Sequence, residues 1–558
     1  MTNAPVMEKD PRAQECIRRW GELKTDRARF EADWEDIARL IRPQRGGFSM
    51  HDASGRKMEK PLSSEPILAQ SSFAAGIYSA ITNPATRWAG LETPDPELNA
   101  WHDMAVWNDA ATRIVMNSFR PEVSGFYSAT FQAYSDLAAF GNAAGYDELD
   151  EGDRRFIDVT LSLAEVVYDI DAHNRVVEVI RKFHLTPRAA RAMFHGRGEL
   201  PARVIDMEEK GQTEKLVFYH HVVRNYGFER KRLGLRGKPW VSRYVCEVDE
   251  ALIREAGYDE MPFYAPRWDV DSGMIWGTGP GFIALPASRV LHQMEAATIR
   301  AAQRAADPTL LAPGREDWPL SGRAVPGHVI YGGMNIRGQQ MVAPLVNTGQ
   351  VGLTAAEKQA KVEEIAKAFH YAIMPLSNRT GITSEETRII EEANLRNWAP
   401  HADRIMEEYA ARKVERRFRL LWRAGQIPPP PAEAEGMPLQ VRYQSAATMA
   451  MRSREGLAVR QFLTDLGPLA QLGQRHLERI SGRIDTDAAV EALHDASPSL
   501  PAAILRSRSI ADQIAEAEAQ QRQAMQAAQM AQPLAAAAKD GAQAAQMMGD
   551  MAGMEMEG

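Results

Sequence analysis

Five carboxylates close together in the sequence have the residue types that metal-dependent chemistry requires. They are Asp147, Glu148, Asp150, Glu151 and Asp153. Convergent carboxylates bind divalent cations in many nucleic-acid enzymes. At a turn between a predicted helix and a predicted strand, however, such residues are more typical of a solvated loop. The sequence favours the solvated loop and keeps the metal site as the alternative.

Other residues that could do chemistry stand in the wrong context. His220 and His221 are neighbours in a strand-like pattern, so their side chains face opposite ways and could not readily share a metal ion. Residues 277–281, GTGPG, lack the spacing of a dinucleotide-binding loop and predict a flexible junction before a helix. The sequence contains no G-x-x-x-x-G-K-[ST] loop, H-E-x-x-H pair or nucleophile elbow. We therefore predict no catalytic residue, no metal ligand and no cofactor.

The composition is that of a soluble protein made in a reducing compartment. A length of 558 residues predicts roughly two to four domains. The chain has no run of about 18 apolar residues and no secretory signal, so no membrane span is expected. Two cysteines, Cys16 and Cys246, do not favour a disulfide framework or a thiolate zinc site. The net charge of −8 argues against broad binding to phosphate groups.

The apolar periodicity places helices first and strands second. Helices are predicted at residues 11–42, 64–81, 99–120, 124–141 and 187–194, and strands at residues 156–161, 166–170, 176–183, 215–224 and 240–248. The basic loop at residues 230–238 is interpreted as a solvated surface loop, with contact to DNA or another protein as the alternative. Residues 1–284 are assigned to one α+β domain.

The stretch from residue 285 to residue 425 predicts three helices separated by two excursions. The first helix, residues 285–306, has Pro286 in its first turn. Capping boxes at residues 354–357 and 383–386 start the second and third helices. The third helix is predicted to kink at Pro400 and to end before four consecutive prolines.

Four segments of this stretch and its surroundings carry a family resemblance. They are TNPATRW, GTGPGFIALP, RTGITSEETRIIEE and WAPHADRIMEEYAARKVERRFRLLWRAGQIPPPP. Their order and residues resemble the portal, or head-to-tail connector, protein of short-tailed bacteriophages of the T7-like kind. The resemblance covers residues 20–518 and rests on co-linear order and spacing rather than on any single motif.

The resemblance implies a predominantly helical α+β protein with a portal-type fold that assembles into a ring. The implied regions are an α+β wing domain at 1–284, a first stem helix at 285–306, a clip at 307–352, a second stem helix at 353–375, a tunnel loop at 376–383, a long kinked helix and return to the wing at 384–445, a helical crown at 446–518, and an Ala/Gln/Met low-complexity tail at 519–558.

The resemblance also implies where DNA and partner proteins would make contact. In the tunnel loop, Asn378, Arg379 and Thr380 would lie near DNA; the alternative for Arg379 is an ion pair with Glu385 or Glu386. In the clip, the candidate contacts to other subunits, the terminase or the tail adaptor are Trp318, Val329, Ile330 and Tyr331, with local packing as the alternative.

The implied function is that of a portal subunit rather than an enzyme. Its ring, of twelve copies in the family, would form the channel at one capsid vertex for DNA packaging and ejection. The implied partners are other copies of the chain, the major capsid protein, the scaffolding protein, the terminase large subunit, the tail adaptor and double-stranded DNA bound without sequence specificity; no membrane is involved. The expected location is the virion, after assembly in the host bacterial cytoplasm. The alternatives are an internal virion or scaffolding-type protein and a metal-dependent nucleic-acid enzyme.

Overall fold

The computed structural model describes five long stretches of the chain and several short ones. The long stretches are 9–48, 61–150, 155–306, 351–369 and 400–434. The short ones are 310–311, 336–337, 343–344, 436, 440–443, 446–466, 484–495, 504–506, 510–525, 539, 541–543 and 545–546. The chain forms two compact units. Unit 1 comprises 1–89, 114–427 and 443–447, and unit 2 comprises 90–113, 428–442 and 448–558.

Helices make up most of the described chain. They are α1 (Pro11–Leu40), α2 (Glu65–Ile81), α3 (Pro96–Ala100), α4 (His102–Ser118), α5 (Phe126–Phe140), α6 (Pro187–Phe194), α7 (Ala202–Glu209), α8 (Pro280–Ala306), α9 (Val351–Ala368), α10 (Arg412–Arg423), α11 (Ala446–Asp465) and α12 (Thr486–Asp495). A π-helical turn, Met406–Ala411, directly precedes α10.

The strands form small antiparallel sheets. They are β1 (Ala89–Glu92), β2 (Ala144–Asp150), β3 (Arg155–Leu161), β4 (Val166–Ile170), β5 (Val176–Leu185), β6 (Leu216–Arg224), β7 (Trp240–Cys246), β8 (Ala251–Tyr258), β9 (Phe263–Tyr264), β10 (Leu310–Leu311), β11 (Ala343–Pro344) and β12 (Gln440–Tyr443). Five of them form a meander in the order β4-β5-β6-β7-β8, and three form a second sheet in the order β3-β2-β9. Two further pairs, β1 with β12 and β10 with β11, complete the described sheets.

The core of unit 1 is built where helices cover the sheets. The apolar face of α1 packs Trp20 and Leu23 against strand residues such as Ile180 and Tyr219. Further along α1, the fully buried Trp34 joins a larger cluster that includes α2, α5, α8 and α9. The aromatic ring centroids of Trp34 and Trp276 lie 5.1 Å apart in an edge-to-face arrangement. This cluster forms the largest described apolar core of the chain.

Unit 2 has its own local contacts. Within it, Asn99 accepts hydrogen bonds from the backbone N–H and the hydroxyl of Thr93, at 2.9 and 2.8 Å. The indole N–H of Trp107 donates to the backbone oxygen of Pro428 at 2.9 Å. None of the described helices, in either unit, is long and apolar enough to cross a membrane.

Most predicted helices and strands are confirmed, and three boundaries or elements are corrected. The structure adds β2, where a solvated turn was predicted, because its residues pair along their length with β3. The helix predicted from residue 285 begins at Pro280, so Pro286 lies inside α8 rather than in its first turn. The side chain of Pro286 faces solvent, and the ring therefore removes one backbone donor without disturbing the core. The helix predicted to start at 354–357 begins at Val351.

The glycine segment at residues 277–281 is a rigid crossing point, which corrects the prediction of a flexible junction. The side-chain amide of Asn142 donates to the backbone oxygen of Gly277 at 2.7 Å and accepts from its N–H at 2.8 Å. A Cβ at Gly281 would lie 2.0 Å from the backbone oxygen of Ala139, at the end of α5. Glycine is therefore required here, because this segment packs directly against the backbone at residues 139–141 and leaves no room for a side chain.

We predict that Gly281→Ala destabilises the protein by about 1–3 kcal/mol or more, because the new methyl group overlaps backbone that cannot move away cheaply. Thermal unfolding measures this loss. The matched control is Gly21→Ala inside α1, where no atom lies within 4 Å of the new Cβ. Since glycine is unfavourable in a helix interior, the control is expected to gain about 0.5–1 kcal/mol. Equal unfolding temperatures for the two variants would contradict a packed crossing.

Candidate functional site

The predicted contact residues lie outside the described part of the chain. These are Asn378, Arg379 and Thr380 of the tunnel loop, with the alternative partners Glu385 and Glu386, and Trp318, Val329, Ile330 and Tyr331 of the clip. Their roles stay predictions. The structure does describe the residues on both sides of 370–399.

The helix that precedes residues 370–399 is packed into the core of unit 1. Helix α9 lies against α8, with Lys358 and Glu295 forming an ion pair at 3.2 Å. Ile365 and Phe369 at the end of α9 are 1% and 0% exposed. The segment that follows residue 369 therefore starts from a fixed point.

The described residues that flank 370–399 lie close to the same pair of aromatic rings. The ring of Phe369 lies 6.4 Å from the ring of Phe73, which in turn lies 5.5 Å from Trp268. On the other side, the imidazole ring of His401 stacks on Trp268, with their centroids 4.8 Å apart. Phe73 and Trp268 thus bridge the two ends of the 370–399 segment.

The π-helical turn Met406–Ala411 directs two adjacent side chains, Glu408 and Tyr409, towards partners in unit 1. Glu408 accepts from the backbone N–H of Arg267 at 2.9 Å and pairs with its guanidinium at 2.8 Å. The hydroxyls of Tyr409 and Thr130 form a hydrogen bond of 3.0 Å. A π turn widens the helix locally, which allows neighbouring positions to share one face. The turn therefore adds polar anchors immediately before α10.

Helix α10 is fixed by a buried ionic cluster that we call the clamp: Asp147, Asp158, Lys413, Arg416 and Arg417. The two carboxylates are direct cross-strand partners on β2 and β3. Like charges in such positions repel each other, and burial increases the cost. The three cations of α10 supply the compensation.

Each carboxylate of the clamp has a close cationic partner. Asp147 accepts from Nε of Arg416 at 2.6 Å. Asp158 accepts from Nζ of Lys413 at 2.8 Å and from Arg417 at 2.6 Å. The side chains of Asp158 and Arg417 are both 0% exposed. Buried charges persist only when paired in this way.

Aromatic faces complete the environment of the clamp cations. Nζ of Lys413 lies 4.1 Å from the ring centroid of Tyr264. The guanidinium carbon of Arg417 lies 3.8 Å from the ring of Phe156 and 4.7 Å from that of Phe119. Desolvated cations gain from such faces about 2 kcal/mol or more. These contacts hold α10 in one position along the β2–β3 hairpin.

The clamp corrects the interpretation of the acidic segment as a solvated loop. Asp147 is 2% exposed, and its carboxylate forms an ion pair with Arg416. Among the described residues, no three His, Cys, Asp or Glu side chains converge as a metal site would require. Glu151 and Asp153 lie outside the described residues.

Sequence reasoning missed the cations of the clamp because it followed the apolar stripe of the third predicted helix. Lys413, Arg416 and Arg417 are spaced by three and four residues, the spacing of one helix face, and they flank the buried Val414. On β3, Asp158 lies two residues from Phe156, on the same buried face. The sequence therefore offered one signal for the clamp. Cations lie on the buried face of a predicted helix, and a carboxylate lies on the buried face of a predicted strand.

The adjacent histidines of β6 do not form a shared site. His220 and His221 do point to different partners, Ser242 at 2.9 Å and Glu178 at 2.8 Å. Burial, with a smaller contribution from the charge of Arg181, holds the pKa of His220 well below its usual value.

Neither cysteine is suited to nucleophilic chemistry. Cys16 and Cys246 are both fully buried and unpaired. Burial raises the pKa of Cys16 to about 12 and that of Cys246 to about 11, so neither is a reactive thiolate at neutral pH.

Comparison with known proteins gives one family and two relatives. Residues 13–505 match the family described as bacteriophage head to tail connecting protein. The chain is 27% identical over 538 residues to the portal protein of Salmonella phage epsilon15. It is 27% identical over 543 residues to the probable portal protein of Bordetella phage BPP-1. Each alignment covers 94% of this chain and 94% of the relative.

We predict that Asp158→Asn destabilises unit 1 by about 3–5 kcal/mol, since it leaves Arg417 buried without a compensating charge. Lys413 would keep only the more distant carboxylate of Asp147, at 3.7 Å. Chemical unfolding followed by tryptophan fluorescence measures the loss. The control is Asp26→Asn on the exposed face of α1, where we expect a change within about 0.5 kcal/mol. A loss at Asp158 no larger than that at Asp26 would contradict the clamp.

The clamp also predicts a dependence on pH. Burial alone would raise the pKa of Asp158, but Lys413 and Arg417 hold it below its ordinary value of 3.8. A depressed carboxyl pKa stabilises the folded state above the unfolded pKa, and this stability is lost as the pH falls through the folded pKa. We expect the free energy of unfolding to fall below about pH 4. The fall should be smaller in Asp158→Asn than in the parent; parallel curves would contradict it.

Proposed function

Since the chain belongs to the family of bacteriophage head-to-tail connecting proteins, we propose that it is a subunit of the portal ring through which viral DNA enters and leaves the capsid. The observation that carries this function is the family match over residues 13–505, together with two portal proteins that are similar along 94% of their length. We further propose the short-tailed, T7-like kind of portal and a ring of twelve copies. Its place is one vertex of the virion, reached after assembly in the host cytoplasm.

The function is geometric rather than catalytic. A head-to-tail interface whose rotation closes produces a ring with a central channel. DNA must slide through this channel, so tight phosphate binding would slow it, and a chain with a net charge of −8 suits that task. We propose that the chain makes and breaks no bond. ATP hydrolysis during packaging would belong to the terminase large subunit.

The 370–399 segment is the proposed point of contact with DNA. Its two ends are held at Phe369 and His401 by the Phe73–Trp268 pair, and the clamp fixes α10 further along. A segment with a rigid base can act on a moving substrate without losing its position. We propose that Asn378, Arg379 and Thr380 project into the channel and touch phosphate groups transiently.

The proposed partners follow from the position of a portal in the capsid. During assembly the ring would contact the scaffolding protein and the major capsid protein. During filling, the clip, with Trp318, Val329, Ile330 and Tyr331, would dock the terminase large subunit. The same surface would then receive the tail adaptor. The segments between α8 and α9 that carry these residues are inserted between two core helices, a position suited to contacts outside the subunit.

We predict that deletion of residues 376–381 leaves ring assembly intact and impairs packaging. The reason is that Phe369 and Ile405, which are both fully buried in the core of unit 1, lie outside the deletion. Packaging is measured as the mass of nuclease-protected DNA in capsids from a host infected by phage lacking its own portal gene and supplied with the variant.

A matched control distinguishes the loop from its base. Arg412→Ala removes an exposed cation at the start of α10 and is expected to leave both assembly and packaging unchanged. Arg379→Ala is expected to reduce the protected DNA. Rings that form normally and package the full genome after the deletion would contradict the assignment of the loop, whereas loss of rings would show that the segment is structural.

A further inference from the structure

The loop between β6 and β7, residues 225–238, exposes apolar side chains to solvent. Tyr226 is 87% exposed, Leu233 is 97% exposed and Phe228 is 40% exposed. Single exposed apolar residues are ordinary, but three in one loop of a soluble chain mark an interaction surface. We call this loop the tip.

The tip is also strongly basic for its length. It contains Arg230, Lys231, Arg232, Arg236 and Lys238, with Glu229 as its one carboxylate. Because the tip carries a formal charge of +4 within a chain of −8, the rest of the chain carries −12. Every other copy of the chain is therefore an oppositely charged partner for it.

Several tip cations have no partner among the described residues. Arg232 pairs with Glu229 at 2.8 Å, and Lys238 pairs with Asp259 at 2.7 Å. Arg230, Lys231 and Arg236 are exposed and make no ion pair with described residues. Their charges are available to a neighbouring molecule.

The tip is ordered rather than a loose connection. The side chain of Asn225 donates to the backbone oxygens of Leu235 and Lys238 at 3.1 and 2.8 Å. The backbone N–H of Glu229 donates to the oxygen of Arg236 at 2.8 Å. A preformed loop loses little conformational freedom when it binds, which favours docking.

A concave surface elsewhere on unit 1 has the matching chemistry. It is a groove of about 480 Å³ between the outer face of β2–β3 and the end of α6. Its apolar lining includes Ile157, Val159 and Met193, which are 40%, 42% and 39% exposed. On β3, Ile157 and Val159 alternate with the buried Phe156 and Asp158. A strand with apolar residues on both faces indicates that the outer face is covered in the assembled protein.

The groove also holds a carboxylate that lacks a cationic partner. Glu148 accepts a hydrogen bond from the hydroxyl of Tyr146 at 2.6 Å and makes no ion pair with described residues. The two arginines of the groove are already opposite carboxylates: Arg197 lies 3.6 Å from Asp150, and Arg181 lies 3.5 Å from Glu165. An incoming cation would complete the charge balance of the groove.

We propose that the tip of one copy docks into the groove of the next copy around the ring, with Leu233 on the apolar floor and a tip arginine facing Glu148. This proposal rests on the ring-forming function proposed above. The two surfaces are different and lie on the same chain, so the contact is head-to-tail, the type that closes into rings. A duplex DNA partner would use the cations of the tip but would leave its three exposed apolar side chains unexplained.

Cysteine cross-linking in purified rings tests the contact. The double variant Leu233→Cys with Met193→Cys is treated with a short bismaleimide and run on a denaturing gel. Both native cysteines are fully buried, so they add little background. The expected result is a ladder of covalent multimers. The matched control replaces Met193→Cys by Leu68→Cys, a 49% exposed position on α2, and is expected to stay monomeric on the gel.

Charge exchange provides a second readout that a folding defect would not mimic. Arg230→Glu with Arg236→Glu is expected to lower the yield of rings about tenfold or more, and Glu148→Arg in the same chain should restore part of it. The control Arg29→Glu with Arg203→Glu changes the same charge at exposed helix positions and should assemble normally.

The outcomes separate this inference from the proposed function. Rings of normal size that give no ladder, or that ladder equally with the Leu68 control, would overturn the docking and leave the portal assignment standing. Tip variants that form normal rings but lose retention of duplex DNA in a gel-shift assay would overturn it in favour of nucleic-acid binding. Failure of the parent chain to form any ring, both alone and with its scaffolding protein, would remove both.

Discussion

Two carboxylates that face each other across a strand pair set the central constraint of unit 1. Asp147 and Asp158 are cross-strand neighbours in a buried position, where neither could stay charged alone. Both carboxylates can stay charged while buried because Lys413, Arg416 and Arg417 of α10 form ion pairs with them. The hairpin and the helix therefore define each other's position, although about 260 residues separate them in sequence.

The helical stretch that leads into α10 begins at residue 400, directly after the segment that we propose for DNA contact. Buried ion pairs add little net stability over apolar packing, but they permit few alternative positions of their partners. Downstream of residue 400, the stack of His401 on Trp268, the Arg267–Glu408 pair and the clamp act in succession along one helical stretch. A conduit needs this rigidity, because force applied by moving DNA would displace a loosely held segment.

The sequence predicted the elements well where periodicity was strong, and less well where tertiary contacts decide. Helix α1 and strands β4 to β7 follow apolar repeats and were predicted close to their observed bounds. β2 was missed because its acidic residues are typical of turns, and only the cations of α10 allow Asp147 to be buried. Gly281 was interpreted as flexible, since its close approach to Ala139 is visible only in three dimensions. The tunnel and clip residues were identified through family resemblance, and they lie outside the described residues.

The most direct test of the account is the mass and shape of the purified chain, measured by light scattering coupled to size exclusion and by negative-stain electron microscopy. Twelve chains of 62.0 kDa predict a particle of about 744 kDa that appears as an annulus with a central hole. A ring of a nearby subunit number would retain the portal and correct the count. A chain that stays monomeric, both alone and with its scaffolding protein, would contradict the portal function.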